Sequence, residues 1–323
     1  MADFRLAIVG VTGEVGRALL SRLDDSGLEF AEVHALASSR SEEETVMFRR
    51  RPLIVESAEG FDFTRADIVV LATPAAVSEQ LADQALAAGC RVIDHSSAFA
   101  GRGAAPFAGT AESESADLVV APSAEVSLLM PLLSSIIGSF PLRAVHATLL
   151  VPVSSLGHGG VRELAGQTGE LLNGRGIEPV VFPAQIAFNC LPLVGSSREE
   201  MVVEGLQQLL GEHVPLVLSS IVVPVFYGLT AQITLETEAP LMAEELADLL
   251  SRQSGVEVRN SLEDQQVATP VTDAAGQTGV YINGIRPLPA PLQGVTFVAI
   301  ADNVHQGAAR HTVELLEKWI KRL

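Results

Sequence analysis

Residues 5–16 of the chain read RLAIVGVTGEVG, and this stretch decides the fold of the first half. The apolar residues Leu6–Val9 predict a buried strand, and the helical pattern of Ala18–Leu23 follows the glycines directly. The spacing G-x-x-G-x-x-G is a variant of the dinucleotide-binding fingerprint, in which glycines allow a tight turn and close approach of a pyrophosphate. N–H groups that open the helix then hold the phosphates. The predicted cofactor contacts in this turn are Gly10, Val11, Thr12, Gly13, Glu14, Val15 and Gly16.

Short apolar strands alternate with helical patterns through the first half, which predicts a parallel sheet covered on both faces. These strands are expected at Leu6–Val9, Val33–Leu36, Ile68–Leu71, Val92–Asp94 and Leu118–Ala121. In the second half, longer and more alternating strands favour a mixed or antiparallel sheet with helices on one face. The expected elements there are strands at Ala144–Val153, Val217–Val223, Ala231–Glu236 and Val295–Ala301, and helices at Val161–Asn173, Met242–Gln253 and Ala308–Leu323.

The composition excludes several classes of function. Of 323 residues, 39 are acidic and 21 basic, and the net charge of −18 argues against nucleic acid or an anionic membrane as a partner. Two cysteines make neither a disulfide framework nor a multi-cysteine metal site, which fits a reducing cytosol. The chain starts with a strand rather than a signal peptide. The uncharged stretch Val214–Leu235 is interpreted as buried strands, because it is rich in β-branched residues and contains prolines. We therefore expect a cytoplasmic protein.

The choice of cofactor depends on the end of the second strand, which reads Ala37-Ser38-Ser39-Arg40-Ser41. An NAD enzyme would offer an acidic residue to the ribose hydroxyls at this place. Ser38, Arg40 and Ser41 suit the 2′-phosphate of NADP better, since an arginine binds phosphate in a forked geometry. Glu42–Glu44 follow at once and would oppose a phosphate, so NAD remains possible. The sequence favours NADP.

Six motifs occur in an order that resembles the aspartate-semialdehyde dehydrogenase family over nearly the whole chain. They are Gly10–Gly16, Ser38–Ser41, Asp94–Phe99, Phe182–Asn189, Pro224–Gly228 and Ala301–Asn303. Within this family the chain looks most similar to the Usg-type paralogues, a branch without an assigned reaction. The enzymes of the family reductively dephosphorylate aspartyl phosphate with NADPH, through a thioester on a cysteine.

The resemblance implies an α/β fold of two domains. A Rossmann-like dinucleotide-binding domain would comprise residues 1–127 and 303–323, and residues 128–302 would form an α+β catalytic and dimerisation domain with a mixed sheet. It also implies a homodimer formed through the second domain, whose strands are more apolar than a small exposed sheet tolerates. The candidate cofactor-binding residues outside the first two motifs are Thr73, Ser96, Gly157 and Asn303.

The residues that the family's reaction requires are replaced in this chain. By the resemblance, the cysteine nucleophile falls on Ala124, the acid/base histidine on Leu229 and the substrate-orienting glutamine on Val151. A methyl group cannot form a thioester, and losing a nucleophile or its base costs on the order of 10⁴–10⁶ in turnover. We therefore predict no catalytic residue for this reaction and an apolar substrate pocket. The family's three cationic substrate anchors fall on Ala100, Val202 and Val222.

Few residues remain that could take over the chemistry. Cys90 and Cys190 are predicted to be packed, unreactive thiols, since free cysteines are among the most buried residues. His158 lies in a glycine-rich turn and is the best remaining acid/base candidate, although a solvated loop histidine is the simpler interpretation. His95 is interpreted as lining the cofactor cleft, and Glu125 as a carboxylate that caps a helix beside Ala124. No pair of possible ligands has metal-site spacing.

Three functions stay open from the sequence. The first is a catalytically silent relative that binds the cofactor and acts by binding or regulation, for example as the partner of another protein. The second is an oxidoreductase that acts on an aldehyde or oxo group of a different, less polar substrate. The third is a retained aspartate-semialdehyde dehydrogenase of amino-acid biosynthesis.

Overall fold

The computed structural model describes six ranges of the chain: residues 4–96, 98–99, 115–193, 196–211, 213–259 and 267–322. The chain divides into two units, each with its own sheet and hydrophobic core. Unit 1 comprises Met1–Ser123 and Gly307–Leu323, and unit 2 comprises Ala124–Gln306.

The sheet of unit 1 is parallel throughout, as predicted. Its strands are β1 (Arg5–Val9), β2 (Glu32–Ala37), β5 (Glu56–Ser57), β6 (Ile68–Leu71), β7 (Arg91–Asp94) and β8 (Leu118–Val120). Their spatial order is β5-β2-β1-β6-β7-β8, so β1 lies at the point where the order of strands reverses. Ligands of doubly wound sheets bind at this switch point, beyond the carboxyl ends of the strands. A separate antiparallel hairpin, β3 (Thr45–Phe48) and β4 (Arg51–Ile54), follows β2.

The helices of the described residues are, in chain order, α1 (Glu14–Ser26), α2 (Ala75–Ala87), α3 (Ala124–Ile137), α4 (Gly157–Leu172), α5 (Ser197–Leu210), α6 (Ala243–Ser251) and α7 (Arg310–Arg322). In unit 1, α2 packs its apolar side onto one face of the sheet, and α1 packs against α7. Every residue of β6 is buried, because helices cover both faces. Trp319 of α7 is fully buried, and the guanidinium of Arg91 lies 3.8 Å from its ring centre.

The sheet of unit 2 is mixed, as predicted. Its strands are β9 (Leu142–Val151), β10 (Leu191–Pro192), β11 (Leu216–Val222), β12 (Leu229–Thr237), β13 (Val256–Arg259), β14 (Val280–Pro287) and β15 (Gly294–Ala301). They lie in the order β10-β11-β9-β12-β15-β14-β13. The β11–β9 and β13–β14 pairs are parallel and the others are antiparallel.

Helices α3, α5 and α6 cover one face of this mixed sheet. Strand β12 shows the consequence, since its residues alternate strictly between buried and half-buried. The uncharged stretch Val214–Leu235 therefore contains β11 and most of β12, joined by a loop at 223–228, which confirms its interpretation as strands. No helix in the described part of the chain is long and apolar enough to cross a membrane.

Candidate functional site: a glycine turn and a closed substrate region

The turn between β1 and α1 needs glycine at two positions. Gly10 has a φ of +86°, and a Cβ there would lie 2.3 Å from the carbonyl oxygen of Ala72. A Cβ on Gly16 would lie 2.4 Å from the carbonyl oxygen of Gly10. Real Cβ atoms do not approach backbone so closely, so neither position accepts a side chain without a shift of the backbone. Close backbone packing therefore requires glycine at both positions of this turn.

Gly13 plays a different part in the same turn. It is the N-cap of α1 with an ordinary φ of −81°, and its N–H donates to the carbonyl of Gly10 at 2.9 Å. It has no side chain to cap the first turn of α1, whose N–H groups face the turn as they do in phosphate-binding helices. The N–H groups of Gly10 and Val11 both donate to the carbonyl of Leu36, at 2.8 and 3.1 Å. The turn thus has the backbone arrangement that is typical of the dinucleotide-binding fingerprint.

The other candidate residues of unit 1 lie at the same edge of the sheet. Parallel strands bring their carboxyl ends together, and Val9 of β1 is paired with Leu36 of β2 and Leu71 of β6. Ser38 and Arg40 follow β2 and are exposed, with Arg40 in a short 3₁₀ helix. Glu42–Glu44, just beyond, are exposed as well. The remaining candidates at this edge are Ser41, Thr73 and Ser96.

The hydroxyl groups of Thr73 and Ser96 shape the loops at this edge. Thr73 Oγ1 lies 2.9 Å from the hydroxyl of the buried Ser78. Ser96 Oγ donates to Asp94 Oδ1 at 2.6 Å, and the backbone N–H of Ser96 donates to the same oxygen at 3.0 Å. Asp94 is fully buried and so fixes the turn after β7. These side chains hold the backbone that would surround a cofactor.

Two candidate cofactor-binding residues belong to unit 2. Gly157 opens α4 with a φ of +69° and has open space where a Cβ would be. Asn303 is buried, and its amide oxygen accepts the N–H of Gly228 at 3.1 Å. Its amide nitrogen donates to Ser154 Oγ at 3.0 Å. The side chain of Asn303 therefore ties two loops of unit 2 together.

The positions predicted to have lost their substrate contacts are closed. Val151, Val202, Val222 and Leu229 are each only 1% exposed. Val151, Val202 and Leu229 belong to the main hydrophobic core of unit 2, and Val222 to a smaller cluster beside it. Ala124 is the first residue of α3 and packs against the main core. Ala100 lies outside the described residues.

Comparisons with known proteins agree with this architecture. Residues 5–124 match the family described as semialdehyde dehydrogenase, NAD binding domain, and residues 129–306 match semialdehyde dehydrogenase, dimerisation domain. The chain belongs to the semialdehyde dehydrogenase family. It is an aspartate-semialdehyde-dehydrogenase-like protein with an NAD(P)-binding domain, as the resemblance of its motifs predicted.

Three relatives show how far the similarity to this family extends. The chain is 35% identical to a USG-1 protein homolog of Pseudomonas aeruginosa, over 98% of this chain and 97% of that protein. It is 32% identical to an aspartate-semialdehyde dehydrogenase of Legionella pneumophila, over 97% and 94% of the two chains. A solved structure of a probable aspartate-semialdehyde dehydrogenase from Pseudomonas aeruginosa superimposes with a TM-score of 0.92 at 35% identity, over 99% of both chains.

One charged pair in the family's second domain was missed by the sequence analysis. Glu125, in the first turn of α3, is 1% exposed, and its Oε1 accepts hydrogen bonds from Arg198 Nε at 2.9 Å and Nη2 at 2.6 Å. Arg198 lies on α5, far away in sequence, so no spacing pattern could reveal the pair. The interpretation of Glu125 as a cap was therefore incomplete.

Asp302 and His305 were also missed, although Asp302 lies in a recognised motif. Asp302 is buried and accepts the N–H groups of Gly276, Val304 and His305 at 2.6–2.8 Å. Its Oδ1 lies 3.2 Å from His305 Nδ1. Burial acts to raise the pKa of the Asp302 carboxyl, but these hydrogen bonds outweigh it and lower the pKa. The carboxylate thus connects the turn after β15 with the loop that precedes β14.

The structure tests the predictions for the other reactive side chains. Cys90 is buried as predicted, its thiol lies 3.1 Å from the carbonyl oxygen of Ala66, and burial raises its pKa. The prediction for Cys190 was wrong, since Cys190 is exposed. It follows a turn in which Phe188 adopts a positive φ of 59° and is itself 66% exposed, so apolar composition did not mean burial there. His158 is exposed but lies in the first turn of α4 rather than in a loop.

His95 contacts the C-terminal helix of the family's first domain. Its Nε2 lies 2.7 Å from Thr312 Oγ1 of α7. Burial, and then repulsion from His311, lower the pKa of His95 to about 4. The ring is therefore neutral at physiological pH and packs as an uncharged group.

This shift predicts a pH-dependent loss of stability. Between the ordinary pKa of 6.5 and about 4, the unfolded chain binds a proton at His95 that the folded chain does not. The free energy of unfolding should therefore fall as the pH drops through this window, by on the order of 2 kcal/mol. Urea denaturation at pH 7 and pH 4.5 should show a smaller loss for His95→Asn than for the wild type. His213→Asn, at an exposed histidine, is the control, and equal losses in all three proteins would contradict the assignment.

Proposed function

We propose that the protein binds NADP(H) at the glycine turn of unit 1 and does not catalyse the aspartate-semialdehyde dehydrogenase reaction. It would then act by binding, as a regulator or as the partner of another protein. The observation that supports this proposal most is the burial of Val151, Val202, Val222 and Leu229 in hydrophobic cores. By the resemblance to the family, polar and charged substrate contacts are expected at the positions of these four aliphatic side chains.

The cofactor half of the proposal rests on the backbone of the turn. Gly10 and Gly16 leave no space for side chains, and the start of α1 supplies the N–H groups that phosphates need. Arg40 is the exposed cation at the end of β2, where the 2′-phosphate of NADP is bound in doubly wound folds. Bound cofactor would supply hydride chemistry, while the residues named here would bind and orient its phosphates.

The side chains present at the start of α3 and in the cores of unit 2 do not suit the aspartate-semialdehyde dehydrogenase reaction. A thioester needs a thiolate, and Ala124 offers only a methyl group. An acidic substrate needs cations, and burying its carboxylate among Val202, Val222 and Leu229 without a cation would cost several kcal/mol. Aspartyl substrates would therefore be excluded as well as unreacted.

A second candidate function follows from the same apolar surroundings. An oxidoreductase that reduces a neutral carbonyl compound by direct hydride transfer needs neither the cysteine nor the cationic anchors. His158, exposed in the first turn of α4, is the proton donor that such a reaction would use. Oxidation of NADPH with a panel of uncharged aldehydes and ketones distinguishes this function from a purely binding role.

The first prediction concerns the turn itself. Gly13→Val should fold, because its φ of −81° suits any residue and its Cβ would lie 3.2 Å from the carbonyl oxygen of Gly10, a contact that a small shift relieves. The branched side chain would crowd the space beside Gly10 where a pyrophosphate would lie. Titration calorimetry should show NADPH binding weakened by about tenfold or more. Gly166→Ala, at an exposed glycine inside α4, is the control and should bind like the wild type. Absence of NAD(P)H binding by the wild type at millimolar concentration would contradict the proposal.

The second prediction concerns the choice between cofactors. Arg40→Ala removes a cation that would face only the 2′-phosphate, so NADPH affinity should fall by about tenfold while NADH affinity stays within about twofold. Arg51→Ala, at an exposed arginine of β4, should change neither affinity. Equal losses of affinity for NADPH and NADH would show that Arg40 does not contact the 2′-phosphate.

The third prediction concerns catalysis. Ala124→Cys in a Cys190→Ser background should not oxidise aspartate semialdehyde with phosphate and NADP⁺, since the new thiol lacks both its base and a bound substrate. Adding Leu229→His and Val222→Arg should lower stability, because both positions are buried. A rate for the Ala124→Cys/Cys190→Ser variant within about tenfold of an active family member would contradict the proposed loss of anchors.

The match to a dimerisation domain supports a homo-oligomer, and we propose a homodimer formed through unit 2. Unit 2 exposes Val180 by 86% and Phe188 by 66%, and hydrogen bonds to side chains of α4 connect the loop between them to that helix. Sedimentation at micromolar concentration should give the mass of a dimer, and Phe188→Asp should shift it toward the monomer. A monomeric wild type would contradict this proposal.

A further inference from the structure

The contact between Glu125 and Arg198 has the composition of an anion-binding site. Both atoms of the arginine fork that reach Glu125, Nε and Nη2, donate to the single oxygen Oε1. The carboxylate lies in the first turn of α3, where the helix dipole favours negative charge. The Glu125 side chain is 1% exposed, whereas that of Arg198 is 32% exposed. The cation of this site therefore faces solvent, and the anion is supplied by the chain itself.

Glu125 fills this site incompletely. Its second oxygen, Oε2, is buried and has no hydrogen-bond partner among the described residues. The buried hydroxyl of Ser155 also has no partner there, although the carbonyl of Ser155 accepts a hydrogen bond from Arg198 Nη1 at 3.3 Å. Buried polar atoms without partners are costly, and a carboxylate that bonds an arginine through both oxygens is held more strongly than through one. In this structure Glu125 bonds the Arg198 fork through Oε1 alone.

We propose that Arg198, the first turn of α3 and the Ser155 hydroxyl form a binding site for a small carboxylate, and that the side chain of Glu125 occupies it. A carboxylate that is not tethered to the helix would bond both arms of the Arg198 fork and accept the Ser155 hydroxyl. While Glu125 is in place, the site is closed to external anions. This inference rests on the proposed function and adds a cause for the exclusion of acidic ligands beside Ala124, namely that the Glu125 carboxylate already occupies the site.

The proposal is tested by removing the Glu125 carboxylate by mutation and adding a free carboxylate to the solution. Glu125→Ala removes one methylene group and the carboxylate, and acetate has the size and charge of this missing group. Calorimetry should detect saturable acetate binding at least about tenfold tighter than in the wild type, and acetate should raise the melting temperature of the variant more than equal chloride does. Glu125→Ala/Arg198→Met should lose both effects.

Two comparisons make the outcome specific. Asp67→Ala removes the carboxylate of the partly exposed Arg5–Asp67 pair in unit 1, where acetate should have no effect beyond that of chloride. If Glu125→Ala does not fold in chloride, its recovery in acetate supports the site, and failure to recover overturns it. A folded Glu125→Ala variant without acetate binding also overturns it. No NADP(H) is present in these measurements, so their failure is distinct from failure of the cofactor proposal.

Discussion

The close approach of the Gly10 backbone to that of Ala72 is the constraint on which unit 1 depends. Gly10 follows the central strand β1 and Ala72 follows its neighbour β6, so a side chain at Gly10 would push the ends of the two strands apart. The same turn binds β2 through the carbonyl of Leu36, which accepts two N–H groups. Three strand ends and the start of α1 are thereby fixed by backbone atoms alone. A phosphate site built in this way depends on the shape of the main chain.

Unit 2 differs from unit 1, because any chemistry in unit 2 would depend on side chains and not on backbone atoms. By the resemblance to the family, polar groups are expected at four positions that are aliphatic and buried in this chain: Val151, Val202, Val222 and Leu229. Burying one such side chain contributes about 1.5–3 kcal/mol, whereas a buried polar or charged group without a partner costs free energy. Under the proposed function, each replacement would therefore strengthen the fold as it removes part of the reaction. At such positions, a residue that increases stability decreases activity, and the reverse also holds.

Most of the fold could be predicted from the sequence because the strands of unit 1 are continuous apolar runs between turn signals. The hairpin β3–β4 could not, since Arg49 and Arg50 adopt positive φ values of 49° and 60° without the glycine or asparagine that announces such a turn. Helix α3 was hidden by its composition: it is apolar on nearly every side and contains Pro131. Helix α5 had a readable signal, since Ser196 caps it by accepting the N–H of Glu199.

The candidate site was predictable to the extent that its residues are adjacent in sequence. The glycine turn is one continuous segment, and its spacing specifies its geometry. The Glu125–Arg198 pair joins helices that are distant in sequence, and the exposure of Cys190 depends on the turn around Phe188. Neither follows from a local pattern, because only tertiary packing decides them.

The same difference explains how such a protein could keep one function and lose another. Altering the cofactor turn at Gly10 or Gly16 forces backbone atoms apart, so a change there damages the fold of unit 1. Under the proposed function, a catalytic side chain at the start of α3 has been replaced without loss of the helix, since Ala124 packs against the core. Selection for a folded protein alone therefore protects a site made of backbone, whereas a site made of side chains persists only while its reaction is needed.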